Sequence, residues 1–307
     1  MAQRVICVVG PTASGKTKMG VALAKRFNGE VVSVDSMQIY RGMAAPTPAE
    51  MEGVPHHMIG VADPAESWSV SRFTEAADRC VQDILSHGKL PVLVGGTGLY
   101  LDALVRGNTF AAGQQGGAVR QELQERLAQE GAAALLAELA AVDPEAAARL
   151  HLRDEKRILR ALEVYRETGE TISEHDRKSR ETPDRYDALY IGLSFRDRQD
   201  LRDRRVDAMV AQGLLDEVRR LLDSGLPRDA TALQAIGFKQ FLAVADGTAT
   251  EAEAVEEVKL RSRQYAKRQL TWLRRNPDIH WILWEKEPDF PWALQNATDF
   301  LTAAGVC

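Results

Sequence analysis

The feature that most limits what this chain can become is a short apolar run that ends in a glycine-rich turn. Residues 4–9 read RVICVV, and Gly10-Pro11-Thr12-Ala13-Ser14-Gly15-Lys16-Thr17 follows at once. That stretch matches G-x-x-x-x-G-K-[ST] at every fixed position. From Lys16 to Phe27 the apolar residues return at helical spacing, with Met19, Leu23 and Phe27 on one face. Strand, loop and helix in that order make an anion cradle. Small residues let successive backbone N–H groups curl round a phosphate, and the helix N-terminus adds roughly half a positive charge. In such a loop Lys16 reaches the outer phosphate oxygens and the Thr17 hydroxyl ligates Mg2+. Gly10 through Thr17 is therefore the expected diphosphate- or nucleotide-binding segment, with ATP among its candidate ligands. The loop specifies a diphosphate or triphosphate and leaves the reaction open.

The rest of the chain repeats the theme. A second strand pattern, 30–34, ends at Asp35, and a third, 90–94, ends at Gly95-Gly96, with a helical pattern at 73–85 between them. Alternating strands and helices predict a parallel sheet with crossover helices, whose ligands bind beyond the carboxyl ends of the strands. From about Gly107 the character changes. Residues 107–117 (GNTFAAGQQGG) read as a loop, and 118–169 are rich in Ala, Leu, Glu and Arg at helical spacing. Asp143-Pro144 has the form of a helix start, a capping carboxylate followed by a first-turn proline. Residues 189–195 (LYIGLSF) return to strand, so the helical block is an insertion. The expected fold class is α/β, a P-loop NTPase-like parallel sheet core with an inserted helical domain and C-terminal helices. The core spans 1–110 plus 187–307, and the insertion spans 111–186. Later helices are expected at 205–224, 250–276 and 290–303, and a late strand at 280–284.

Composition narrows the setting. The 307 residues carry 39 basic and 44 acidic side chains, a net charge of −5, which argues weakly against a nucleic-acid partner. Distribution matters more, because residues 259–275 (KLRSRQYAKRQLTWLRR) hold Lys and Arg without one acid. No apolar run approaches the roughly eighteen residues a membrane span needs. The apolar N-terminus leads into the glycine loop and not into a cleavage site, so it reads as a strand and not an export signal. Cys7, Cys80 and Cys307 are far apart and odd in number, which suits reduced thiols in the cytoplasm. His56 and His57 invite a metal reading, but neighbours on a chain point to opposite sides and no third ligand is spaced for zinc. A structural role is expected of them.

Several blocks then point to one chemistry. Asp35-Ser36-Met37-Gln38-Ile39-Tyr40-Arg41-Gly42, Gly53-Val54-Pro55-His56-His57 and Gly95-Gly96-Thr97-Gly98-Leu99-Tyr100 are similar to segments of the tRNA dimethylallyltransferase family. So are Arg157-Ile158-Leu159-Arg160-Ala161-Leu162-Glu163-Val164, Ala235-Ile236-Gly237-Phe238-Lys239 and Tyr265-Ala266-Lys267-Arg268-Gln269-Leu270-Thr271-Trp272. The blocks run in order over nearly the whole chain. The resemblance implies that the loop grips the diphosphate of dimethylallyl diphosphate and that the acceptor is N6 of adenosine 37, beside the anticodon of tRNA. It makes Asp35 the group that takes the amine proton, Thr97 a residue orienting the reacting centre, and Lys16, Thr17 and Mg2+ the stabilisers of the leaving diphosphate. It also implies tRNA contacts at Asp35, Ser36, Met37, Gln38, Thr97, Arg120, Glu155, Lys156, Arg157, Ile158 and Leu159. Two departures stand out. About four residues are missing between Met43 and Pro46, and spacing near 201–207 is shorter by three or four. No zinc finger of the kind in some eukaryotic members follows the basic helix.

These residue types suit the reaction. Adenine N6 is a weak nucleophile because its lone pair is delocalised, while an allylic carbon spreads positive charge as diphosphate leaves. The site must stabilise departing negative charge, accept a proton late and exclude water. The base must also be extruded from the anticodon stem-loop, which calls for stacking, edge contacts and phosphate contacts. Residues 259–275 are the expected wider phosphate surface. Three alternatives remain at this level: an isopentenyltransferase using free adenine nucleotides, a small-molecule P-loop kinase, and a nucleotide-binding switch without catalysis. A monomer is the default expectation.

Overall fold

The computed structural model describes residues 3–43, 48–108, 117–195, 200–285 and 288–307, without the side chains of Pro48, Arg180, Asp200, Leu201 and Arg202. Strands β1 (Gln3–Val9), β2 (Gly29–Val34), β3 (His56–His57), β4 (Leu90–Gly95), β5 (Tyr186–Phe195) and β6 (Ile279–Trp284) form one sheet. Their order is β3-β2-β4-β1-β5-β6, and every pair is parallel. Helices α1 (Lys16–Arg26), α2 (Pro48–Met51), α3 (Val70–Ser86) and α4 (Gly98–Arg106) belong to its first half. After the insertion come α9 (Asp200–Ala211), α10 (Leu214–Asp223), α11 (Phe238–Ala245), α12 (Glu251–Leu273) and α13 (Phe290–Ala303).

The strand pattern explains the layers. A strand sends successive side chains to opposite faces, and residues 5–9 of β1 are all apolar and fully buried. Ile6 and Val8 join α1 and α13 in one core, while Val5, Cys7 and Val9 join α3 and α4 in the other. Sheets of this kind are buried on both faces and read as continuous apolar runs. No described helix is long and apolar enough to cross a membrane.

The expected elements are present with adjusted limits. β5 begins at Tyr186 and not at residue 189, and the two-residue β3 is a strand the pattern did not suggest. The helix expected over 205–224 is two helices, because Gly213 sits at φ 94°, a left-handed conformation that ends α9 and starts α10 anew. The long α12 begins with a capping box, Thr250 and Glu253 each bonding the other's backbone.

Residues 108–184 form a separate helical unit, beginning three residues before the expected 111 and ending two before 186. It holds α5 (Ala118–Val142, broken at Gly131), α6 (Pro144–Arg149), α7 (Glu155–Thr168) and α8 (Ile172–Glu181). Its core is Leu123, Leu135, Leu139, Ile158, Leu159 and Leu162. Asp143 caps as its sequence suggested and does a second job. Oδ1 accepts from Ala146 N at 3.0 Å, and Oδ2 accepts from Ser173 N at 3.0 Å, so one buried carboxylate secures the starts of α6 and α8. Burial alone would raise the Asp143 carboxyl, but the bonds from Ser173 and Ala146 outweigh it and hold the group below its ordinary range.

Asp143→Ala is therefore expected to lower stability by about 1–3 kcal/mol in urea unfolding at neutral pH. A depressed folded-state carboxyl stabilises above its unfolded value, near pH 4, and that contribution is lost as pH falls through the lower folded value. The gap between Asp143→Ala and the unmodified chain should accordingly shrink on acidification.

Candidate active site

β4 lies between β1 and β2, with Val9 and Val34 both registered opposite Gly95. Three strand ends thus lie level, and the β1 and β2 ends stand two strand spacings apart, about 10 Å. The loops that follow them are the glycine-rich loop, the Asp35 turn and the Gly95-Gly96 turn. They open into a cavity of about 640 Å3, whose remaining wall includes Tyr265, Arg268 and Gln269 from α12.

The loop itself carries unused donors. Gly15 caps α1 at φ 89° without any side-chain cap, so the first-turn N–H groups of α1 have no partner within the helix. Thr12 through Thr17 line the cavity, whereas Gly10 and Pro11 are buried behind it. Ser14 Oγ is buried without a partner. Lys16 Nζ donates to Pro11 O at 2.7 Å. Burial pushes the Lys16 ammonium down to about 8, with the Asp35 carboxylate pulling the other way. Two later elements hold the loop from behind. Trp284 Nε1 of β6 donates to Ser14 O at 3.0 Å, and Thr12 N donates to Gln269 Oε1 at 3.1 Å.

Asp35 directly follows β2 and opens the next turn. Its Oδ1 accepts from Met37 N at 2.9 Å and Gln38 N at 3.3 Å. This is a local side-chain turn that fixes the carboxylate's direction. Ser33 Oγ donates to Gln38 Oε1 at 2.9 Å, and Asp35, Ser36, Met37 and Gln38 all line the cavity. The hydroxyl of Thr97 is buried and lacks a well-formed hydrogen bond. The residue that lines the wall beside it is Tyr265. Its phenol is pushed up by burial and by the Asp35 charge, with Thr97 and Gln269 adjoining it.

The histidines divide as their adjacency implied. His56 lines the cavity, its Nδ1 2.8 Å from Val54 O, and burial lowers it. His57 lies 2.6 Å from Glu30 and is raised to about 9, by Cys80 first and Glu30 after it.

The expected RNA-contact residues of the helical unit separate in the same way. Glu155, Lys156 and Arg157 are exposed on the first turn of α7. Ile158 and Leu159 are not, since their side chains are buried in the unit's core at 0% and 4% exposure. The helical period carries the next two side chains inward, where they support the exposed turn from beneath. Arg120 stands 3.6 Å from Glu163, which Arg160 also pairs at 2.9 Å. The basic run 259–275 is partly neutralised. Lys259 pairs with Asp207, Arg261 with Glu257 and Arg263 with Asp203, while Lys267, Arg268, Arg274 and Arg275 are exposed. The short spacing at 44–47 lies outside the described residues.

The sequence gives no role to Gln269, Tyr265 or Phe238 beyond their place in a motif, and none to Arg205 in the wall. The helical spacing of 262, 265 and 269 was the available signal for the α12 face.

Comparison with known proteins gives the family. A family model described as IPP transferase matches residues 38–276, and one described as isopentenyl transferase matches 3–63. The tRNA dimethylallyltransferase of Halalkalibacterium halodurans is 45% identical over 92% of this chain and 91% of its own. That of Bacillus subtilis is 45% identical over 91% of this chain and 90% of its own. Among solved structures, the tRNA isopentenylpyrophosphate transferase of Bacillus halodurans superposes with a TM-score of 0.73 at 41% identity, covering 98% of this chain and 96% of that one. A eukaryotic dimethylallyltransferase acting on tRNA gives 0.81 at 27% identity, covering 98% and 80%. With a phosphate loop and a strand-end carboxylate facing one cavity, and with matches that span it, the chain belongs to the tRNA dimethylallyltransferase (IPP transferase) family.

Proposed function

We propose that the chain transfers a dimethylallyl group from dimethylallyl diphosphate to N6 of adenosine 37 in tRNA, releasing diphosphate. The observation that carries this reading is that the anion loop and Asp35 face the same cavity from level strand ends on either side of β4. The loop supplies backbone N–H groups and the Lys16 ammonium to the diphosphate. The allylic C–O bond breaks with its electron pair going to diphosphate, the N6–C bond forms, and the N6 proton passes to the Asp35 carboxylate. Asp35 Oδ1 is already held by two amides, so the carboxylate needs no reorientation when the amine arrives. The phenol of Tyr265 lines the same cavity and feels the Asp35 charge, and Thr97 adjoins that phenol.

The donor set near the loop is oxygen, which suits a hard cation. Thr17 Oγ1 together with the diphosphate would hold Mg2+, which neutralises charge on the leaving group. Ser36, Met37 and Gln38 line the cavity where an extruded base would enter, and the Gln38 amide suits a base edge. The exposed cations at 267–275 suit tRNA phosphates.

Incubation with tRNA, dimethylallyl diphosphate and Mg2+, followed by mass spectrometry, should show one isoprenyl unit gained on an anticodon-loop adenosine. Prenylation of AMP in preference to tRNA, or phosphoryl transfer from ATP without prenylation, would overturn the reading. Asp35→Ala should slow single-turnover transfer by about 10^2–10^4-fold while leaving diphosphate binding intact. Affinity for inorganic diphosphate should fall as pH rises through about 8, where the Lys16 ammonium deprotonates, and this dependence should be absent in Lys16→Ala. Charge reversal at Lys267 and Arg274 together should raise KM for tRNA by about 10-fold, with KM for the allylic diphosphate little changed.

A further inference from the structure

Gln269 is among the buried residues of α12, with Ala254, Val258, Ser262, Ala266 and Leu273. It is 7% exposed, and its amide is used at both ends. Oε1 accepts from Thr12 N at 3.1 Å, and Nε2 donates to Gly96 O at 3.0 Å. The Thr12 N–H belongs to the same peptide unit as the Pro11 carbonyl, which accepts from Lys16 Nζ at 2.7 Å. A peptide unit is a rigid plane with its N–H and C=O pointing opposite ways when trans, and no described bond here is cis. Gln269 and Lys16 therefore grip one plate from opposite sides. The bonds run head to tail, from ammonium to Pro11 O, from Thr12 N–H to the Gln269 amide, and from that amide to Gly96 O. Such chains polarise each member in the same direction.

The arrangement is chemically narrow. It needs one donor and one acceptor on an uncharged group, and a close approach that Gly96 permits. A Cβ on Gly96 would run into the Gln269 amide and the Gly10 carbonyl. One turn later Trp272 Nε1 donates to Asp102 Oδ2 at 2.8 Å, fastening the same helix to α4.

We infer that Gln269 is a positioning residue, whose amide sets the Pro11–Thr12 peptide, and through it the Lys16 ammonium, and ties that setting to the Gly96-Thr97 turn. The crown of the loop is then fixed before an anion arrives, so binding need not order it. The catalytic consequence rests on the prenyl transfer proposed above, whereas the effect on anion binding does not. Failure of the unmodified chain to prenylate tRNA would sink that function and leave this inference to be tested by inorganic diphosphate alone.

The experiment titrates inorganic diphosphate with Mg2+ into the unmodified chain, Q269L and Q269E by calorimetry, beside steady-state kinetics with both substrates. Q269L keeps the apolar bulk and loses both bonds. It should lose about 10–100-fold in diphosphate affinity, with KM for tRNA changed by less than about two-fold. In Q269E the ionised carboxylate can accept from Thr12 but cannot donate to Gly96. Once protonated it offers one donor and one acceptor, so at low pH, where both variants are uncharged at this position, Q269E should bind diphosphate more tightly than Q269L. Diphosphate affinity of Q269L equal to that of the unmodified chain, or equal affinities of Q269E and Q269L at low pH, would overturn the inference. Should Q269L fail to fold, Q269E alone decides: recovery of diphosphate affinity relative to the unmodified chain on acidification supports the inference, and a constant deficit or none sinks it.

Discussion

The pairing of β4 between β1 and β2 sets everything at the functional end of the molecule. Parallel pairing keeps all strand ends pointing the same way, and the shared registration on Gly95 keeps three of them level. A one-residue slip of β4 would turn its side chains to the wrong faces and would carry the Gly96-Thr97 turn out of line with Asp35. The burial of Val92, Leu93 and Val94 between two helical layers is what resists that slip. The precision of the site is therefore set by the cores beneath it.

On that frame the site is assembled by elements far apart in the chain. The glycine-rich loop arises near residue 10, yet Gln269 and Trp284 hold two of its backbone groups. The Asp35 turn, by contrast, is self-contained, since the carboxylate bonds amides two and three residues on. Both arrangements fix a polar group before a ligand is present, one through long-range contacts and one through local ones. Low-dielectric surroundings strengthen such fixed groups and also lower the charge of Lys16.

The helical unit follows a different economy of charge. Its small core is supplemented by ion pairs, among them Arg126 with Glu130 and Glu138, and Arg166 with Glu122 and Glu138. These explain why an Arg-rich sequence carries little free positive charge there. The same holds for the first half of the basic run in α12, where Asp203, Asp207 and Glu257 answer the cations. An acid-free window of sequence does not mean an acid-free neighbourhood in space.

How much was legible beforehand follows from the range of each interaction. The loop at 10–17, the strand ending at Asp35, the cap at Asp143 and the inserted helical block are local patterns, and each depends on neighbours within a few residues. The sequence by itself determined those, because spacing and capping chemistry act along the chain. The inward turn of Ile158 and Leu159 and the split of the 205–224 helix at Gly213 needed the phase of each element to be known to within one residue. The grip of Gln269 on Thr12 spans 257 positions, and only the packing of α12 against the sheet decided it. A donor and an acceptor that distant share nothing in the sequence that reveals their meeting.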